Sequence, residues 1–214
     1  MKTIKAYTQI IGEINGQEIL KKIEMVGRTC YKSEDKITED SAEKFVANLI
    51  KRGHEAMLEH ASFTVKFVVD RGVSHEIVRH RLASFAQEST RYCNYAKDGF
   101  GGEITFIEPC FLEEGTMELE CWKDSCRCAE WSYFKMLECG ATPEKARAVL
   151  PNSLKTEVVM TANLREWRHF FNLRAANKTG KAHPQMLEVT RPLLKELKQL
   201  IPVVFDDIVY TDGE

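Results

Sequence analysis

The sequence is short of several things, and each shortage excludes a class of protein. It has no apolar run approaching the roughly 20 residues needed to cross a bilayer, and its start, MKTIKAYTQIIGEINGQ, lacks both a continuous apolar stretch and a small-residue cleavage site. The expectation is a cytoplasmic protein with no membrane partner. Charge of one sign is also missing: 30 Lys and Arg face 32 Asp and Glu, for a formal net charge of −2. That balance removes the simplest signature of a nucleic-acid coat or a polybasic membrane binder. Glycine (12) and proline (6) are sparse and form no linker, and no internal repeat divides the 214 residues. One domain spanning residues 1–214 is expected. The seven cysteines are odd in number and contain no CxxC pair, so free thiols in a reducing compartment are expected in place of a disulfide framework or a zinc knuckle.

What is present reads as a helix-dominated α+β fold, with helices packed on a small mixed or antiparallel sheet. Residues 41–52 place Phe45, Val46, Leu49 and Ile50 on one helical stripe, and Gly53 supplies the stop. Residues 61–69 alternate Phe63, Val65 and Phe67 with polar positions, as a strand does. A short helix from about Val73 carries Val73, Ile77 and Val78 on one face, and a polar arginine-rich loop then runs to Tyr92. Another strand is expected at 102–108 and a long helix from Glu113 to Cys139, closed by Gly140. Thr142-Pro143-Glu144 has the form of a helix start, and 155–162 that of a strand. Residues 164–175 and 184–200 read as helices, with Pro192 expected to kink or reset the second.

The chemistry concentrates at Arg79-His80-Arg81-Leu82-Ala83-Ser84-Phe85-Ala86-Gln87-Glu88-Ser89-Thr90-Arg91, where three arginines, a histidine and two serines fall within 13 positions. Guanidinium groups present a fixed fork of donors that suits phosphate oxygens and stay charged when partly desolvated. The serines add hydroxyls, and a turn near 87–90 could add backbone N–H groups. The segment is therefore an anion-binding candidate. A solvated basic face is the plainer alternative, and a nucleotide- or RNA-binding module using the same arginines is another. The histidines carry a weaker signal. His54-Glu55 and His75-Glu76 each begin like a zinc-binding HExxH helix, but the following histidines, His60 and His80, come six and five residues after the first instead of four. No metal site is expected.

The ordered residues Arg79, His80, Arg81, Ser84, Ser89 and Arg91 fill every fixed position of the signature RHRxxSxxxxSxR, and the segment resembles that of the flavin-dependent thymidylate synthases. A fuller form of the signature has Asn-Glu between the serines, where Ala86 and Gln87 stand here, with Glu88 one position later. The likeness continues in order along the chain. Gly53-His54-Glu55 with Leu58-Glu59-His60 resembles GHExxxEH, and Ala146-Arg147-x-Val149-Leu150-Pro151 resembles AR-x-VLP. Asn163-Leu164-Arg165, Phe171-Asn172-Leu173-Arg174 and His183-Pro184-Gln185 resemble later family segments.

This resemblance implies an FAD-dependent methylation of dUMP to dTMP, with 5,10-methylenetetrahydrofolate as carbon donor and NADPH as reductant, in a homotetramer with shared active sites. It implies flavin contacts for Arg79, His80, Arg81, Gln87, Asn163, Arg165 and His169, with His54 a neighbour of folate or flavin. His169 stands where some members have Asn. Ser89 and Arg91 would hold the nucleotide phosphate, helped by Arg147 from a neighbouring subunit, with Glu76, Arg79, Gln87 and Glu88 also on the nucleotide side. Arg174 would lie against the uracil and polarise it, which makes a cysteine nucleophile unnecessary. The partners implied are small molecules and further copies of the chain, with no nucleic acid.

Overall fold

A computed structural model describes residues 1–97, 99 and 101–210. The fold is α+β and helix-dominated. Its strands are β1 (Lys2–Ile4), β2 (Tyr7–Ile11), β3 (Ser62–Asp70), β4 (Ala83–Gln87), β5 (Thr105–Ile107) and β6 (Lys155–Asn163). Its helices are α1 (Gly16–Thr29), α2 (Ser41–Lys51), α3 (Arg71–Ile77), α4 (Met117–Glu138), α5 (Pro143–Ala146), α6 (Leu164–Arg174) and α7 (Pro184–Leu200). Four strands form one sheet in the order β2-β3-β6-β4, and β1 pairs with β5 in parallel, Lys2 opposite Thr105 and Ile4 opposite Ile107.

The chain clusters into two compact units, each assembled from separated stretches. One takes Met1–Tyr7, Phe67–Arg79 and Ala86–Val159; the other takes Thr8–Lys66, His80–Phe85 and the chain from Met160 on. In the first unit, Tyr95, Ile104, Phe106, Cys126, Tyr133, Ala146 and Leu154 make the core. In the second, Trp167 is fully buried and stacks on Phe63 with ring centroids 4.7 Å apart, and Phe170, Phe171 and Phe205 close around the pair. The indole N–H is satisfied by the Phe63 carbonyl at 3.3 Å, as a buried donor requires.

Local rules account for much of this. Gly53 adopts φ +71°, and the N–H groups of Gly53 and His54 return to the Ile50 and Leu49 carbonyls, ending α2 as the glycine predicts. Pro143 opens α5 at its first turn. Strand β6 alternates strictly, burying Thr156, Val158, Met160 and Ala162. Strand β3 alternates only at its start and is then buried continuously from Phe67 to Asp70, as a strand covered on both faces must be.

Several expectations change. The arginine-rich segment is not loop throughout: residues 83–87 form β4 at the edge of the four-stranded sheet, with Ala83, Phe85 and Gln87 half-buried and Ser84 and Ala86 exposed. The alternation that makes it a strand is hidden in the sequence by the charged residues on either side. Val78 is exposed just past the end of α3, whereas Val73 and Ile77 are buried. Helix α4 begins at Met117 and not at Glu113, because Gly115 turns the chain at φ +82° and Thr116 then caps the Leu119 N–H. The expected strand at 102–108 shrinks to three residues, after glycines at positive φ. Helix α7 is not reset at Pro192 and runs unbroken from Pro184 to Leu200, with the packed side chains of Val189, Leu193, Leu194 and Leu197 holding it where one backbone bond is lost.

Among the described residues no helix is long and apolar enough to cross a membrane. All seven cysteines are free thiols. On α4, Cys126 is buried while Cys121 and Cys128 are exposed. Trp167 is core, whereas Trp131 is 62% exposed.

Helix α1 starts against the last turn of α7, and a Cβ at Gly16 would stand 1.9 Å from the Leu200 carbonyl oxygen. Backbone on the far side cannot yield as a flexible side chain would. Gly16→Ala is expected to destabilise the protein by about 1–3 kcal/mol, read as a lowered Tm in thermal unfolding; an unchanged Tm would contradict this packing.

Candidate active site

The candidate residues fall into two groups, one in each unit. In the second unit they gather around the start and outer face of α6. Asn163 ends β6 and caps this helix, its Oδ1 accepting from the Glu166 N–H at 2.9 Å. Arg165, His169 and Asn172 follow at helical spacing and line a cavity of about 630 Å³ together with Asn163, Glu55, Glu59, Leu82, Glu166 and Arg168. Arg165 reaches Glu59 at 2.6 Å, with both side chains about half exposed. Such a pair contributes little to stability, so an anionic ligand could take the guanidinium at small cost. His54 is not among the residues lining this cavity, although its neighbour Glu55 is; it lines another of about 440 Å³ with Arg28, Tyr31, Lys36, Phe45 and Arg52. Arg81 is exposed.

His80 precedes β4 and is buried. Its Nδ1 lies 3.1 Å from Glu166 Oε1, and its Nε2 lies 3.3 Å from Arg174 Nε. The rings of Phe170 and His169 meet it edge-on, with centroids at 4.9 and 5.6 Å. Burial, the Arg174 charge and His169 together push the imidazole down to about 4, so it is neutral at physiological pH. Burial raises the Glu166 carboxyl, and His169 opposes that rise. Arg174 ends α6, and its carbonyl accepts from the Thr190 hydroxyl of α7 at 2.7 Å.

Two charged residues here escaped the reading of the sequence. Arg168 is buried, pairs with Asp207 at 2.6 and 2.8 Å, meets Glu55 at 3.1 Å and donates to the Val204 carbonyl. Hydrogen bonds from Arg168 hold the Asp207 carboxyl below its usual range. Glu166 is the other, and a signal for it exists: helical spacing from Phe170 puts it on the buried face of α6, where a carboxyl must have a partner. His80, Glu166 and His169 are also the one group among the described residues whose possible metal-ligating atoms all lie within 4.8 Å of one another. The HExxH-like segments contribute only His80 to it.

In the first unit the structure brings Ser89, Arg91 and Arg147 of the same chain to one turn, whereas the resemblance implied an Arg147 supplied by a neighbouring subunit. The Ser89 carbonyl accepts from the Tyr92 and Cys93 N–H groups at 3.1 and 2.9 Å. Arg147, carried by the turn after α5, donates to Thr90 Oγ1 at 3.1 Å, and Arg91 meets Glu144 of α5 at 2.8 Å. Two cations and hydroxyls thus surround one short turn, an arrangement suited to a phosphate. Gln87 and Glu88 hold the scaffold. Gln87 donates to Ser74 Oγ and Thr156 Oγ1 at 2.9 and 3.3 Å, while Glu88 accepts from Tyr95 and Lys155 at 3.0 and 2.8 Å. Glu76 is half-buried on α3 and Arg79 is exposed just beyond it.

The chain is similar to known proteins over most of its length. The family model described as thymidylate synthase complementing protein matches residues 13–203. The flavin-dependent thymidylate synthase of Geobacter sulfurreducens is 30% identical over 192 residues, covering 86% of this chain and 80% of that protein. The enzyme of the same description from Pyrococcus horikoshii is 36% identical over 174 residues, covering 79% of this chain and 70% of its own. Among solved structures, the UMP/dUMP methylase PolB of Streptomyces cacaoi bound with 5-Br dUMP superposes with a TM-score of 0.77 over 96% of each chain at 21% identity, a likeness of fold.

The buried histidine makes stability depend on pH. An imidazole titrates near 6.5 in the unfolded chain and near 4 when folded, so between these values the unfolded chain binds a proton that the folded protein refuses. The contribution is complete above pH 6.5 and declines as pH falls towards 4, by about 3 kcal/mol at most. Urea titrations of wild type and His80→Gln between pH 7 and 4 should show a smaller loss in the variant; equal losses would refute the assignment.

Proposed function

The chain belongs to the flavin-dependent thymidylate synthase family, and on that premise we propose that it converts dUMP to dTMP with FAD, NADPH and 5,10-methylenetetrahydrofolate. The observation that carries the reading is the complete signature at 79–91, whose second half forms the turn shared by Ser89, Arg91 and Arg147. The α6 cavity suits the flavin in size and chemistry. It is about 630 Å³ and lined by donors from Asn163, Arg165 and His169 near a helix N-terminus. Those residues, with Arg79 and Arg81, would hold FAD, and His54 would lie near folate or flavin. The His80 ring is buried with both nitrogens engaged by Glu166 and Arg174, so it would act on the site through them. When bound, FAD supplies the redox chemistry that amino-acid side chains lack.

The chain's own residues position and polarise. Ser89, Arg91 and Arg147 take the nucleotide phosphate through charge-assisted hydrogen bonds. The guanidinium of Arg174 lies against the pyrimidine and stabilises negative charge developing on the ring. Polarisation by a fixed cation substitutes for attack by a thiolate, so no cysteine is required; burial in fact pushes the Cys126 thiol up to about 11. Assembly into a homotetramer fits the exposure of Leu82 and Tyr92, 77% and 79%, at either end of the signature.

The decisive experiment is conversion of dUMP by the purified, FAD-loaded protein with NADPH and methylenetetrahydrofolate. Arg174→Ala is expected to lose about 10²–10³-fold in kcat while keeping its flavin, and normal turnover would defeat the assigned role. Arg147→Ala is expected to raise KM for dUMP by about tenfold, the loss of a hydrogen bond to a charged group. A protein that takes up no flavin, and binds polynucleotide with a steep salt dependence instead, would replace the proposal with a nucleic-acid-binding one.

A further inference from the structure

The contact between Arg174 and His80 is chemically restrictive. A guanidinium N–H only donates and carries no acceptor lone pair. Arg174 Nε lies 3.3 Å from His80 Nε2, so Nε2 must be the unprotonated nitrogen of the ring. A neutral imidazole carries one proton, which then resides on Nδ1, and Nδ1 lies 3.1 Å from Glu166 Oε1. The three groups form a directed chain in which His80 Nδ1–H donates to Glu166 and Arg174 Nε–H donates to His80 Nε2.

We propose that Glu166 is a positioning residue for Arg174, fixing the tautomer of His80 so that the ring accepts the Arg174 Nε–H and holds the guanidinium plane. The proposal rests on the reading of Arg174 as the group that polarises the uracil. Every part of the chain is anchored. The Glu166 N–H is capped by Asn163, the His80 ring sits against Phe170 and His169, and the Arg174 carbonyl is held by Thr190, which is itself fully buried. Glu166 and Arg174 lie on one rigid helix, two turns apart, with His80 between their side chains. Without the carboxylate the ring can turn its proton to Nε2, where N–H would face N–H and Arg174 would be displaced. A planar group that must lie along a pyrimidine edge tolerates little such displacement, since misplacement by about 1 Å costs on the order of 10²-fold in rate.

A metal ion is the rival occupant, because ligating atoms of His80, Glu166 and His169 lie within 4.8 Å of one another. The geometry favours the proton. One His80 nitrogen bears it and the other faces a guanidinium, so a metal would have to displace the proton or sit against a like charge.

The test uses the FAD-loaded enzyme with ¹⁵N-labelled histidine rings, the His80 signals being identified by their loss in His80→Gln. The expected spectrum has Nδ1 protonated and Nε2 bare across pH 5–8; a protonated Nε2 overturns the proposal. Glu166→Ala should lower kcat per bound flavin by at least tenfold. Glu166→Gln, whose amide oxygen accepts from the same N–H, should keep at least half of the wild-type kcat. A folded Ala variant with wild-type kcat, or a Gln variant as impaired as the Ala one, overturns the proposal. So does stoichiometric Zn²⁺ or Mn²⁺ uptake by the wild type that Glu166→Ala abolishes. If Glu166→Ala fails to fold, the wild-type ring spectrum and the Gln variant decide. Turnover surviving Arg174→Ala defeats the functional reading instead, and the ring spectrum still reports whether Glu166 sets the tautomer.

Discussion

The burial of Trp167 governs the second compact unit, because it fixes the rotation of α6 about its axis. The indole stacks on Phe63 and is enclosed by Phe170, Phe171 and Phe205, with its N–H held by the Phe63 carbonyl. Once that face is committed, the helical repeat decides where the other side chains go. Arg165, His169 and Asn172 must line the cavity, and Glu166 must point at His80. A helix free to roll by half a residue would blur both arrangements; close packing of five aromatic side chains prevents it.

The same helix carries charges on and beside its buried face, which is unfavourable unless each is compensated. Arg168 is matched by Asp207, Glu55 and the Val204 carbonyl, and Glu166 by the His80 ring. Arg168 is buried although its partner Asp207 is half exposed, and His80 and Glu166 are both buried, whereas Arg165–Glu59 and Arg91–Glu144 lie about half exposed on both sides. Exposed pairs contribute little and exchange readily, whereas removing one member of a buried pair strands the other. The distribution therefore separates pairs held by burial from pairs whose arginines solvent can reach. Deep pairs hold the shape, and shallow arginines remain available to anions. The formal charge of −2 is an average over these unlike parts.

The sequence was legible wherever a local rule sufficed. Gly53 ends α2, Pro143 opens α5 and the alternation of Thr156, Val158, Met160 and Ala162 makes β6. Local rules failed where two of them competed. The charges around residues 83–87 obscured the alternation of an edge strand, and the acidic pair Glu113-Glu114 resembled a helix start that Gly115 forbids. Pro192 was expected to kink or reset α7, yet the helix is not reset, because tertiary packing outweighs the one lost hydrogen bond.

By itself the sequence determined the helix-dominated α+β class, the family and the arginine-rich signature at 79–91, because residue type, spacing and caps are properties of neighbouring positions. Only the tertiary structure decided what those side chains meet. His80 and Glu166 are 86 positions apart, and His80 and Arg174 are 94 apart. Nothing in the local chain joins them. The turn of Ser89 and Arg91 likewise receives Arg147 from more than fifty positions away, through Thr90. Such meetings depend on how strands pair and on which face of α6 the aromatic core claims. A side chain's chemistry is written locally, but its hydrogen-bond partner, and with it the proton it carries, follows from the path of the whole chain.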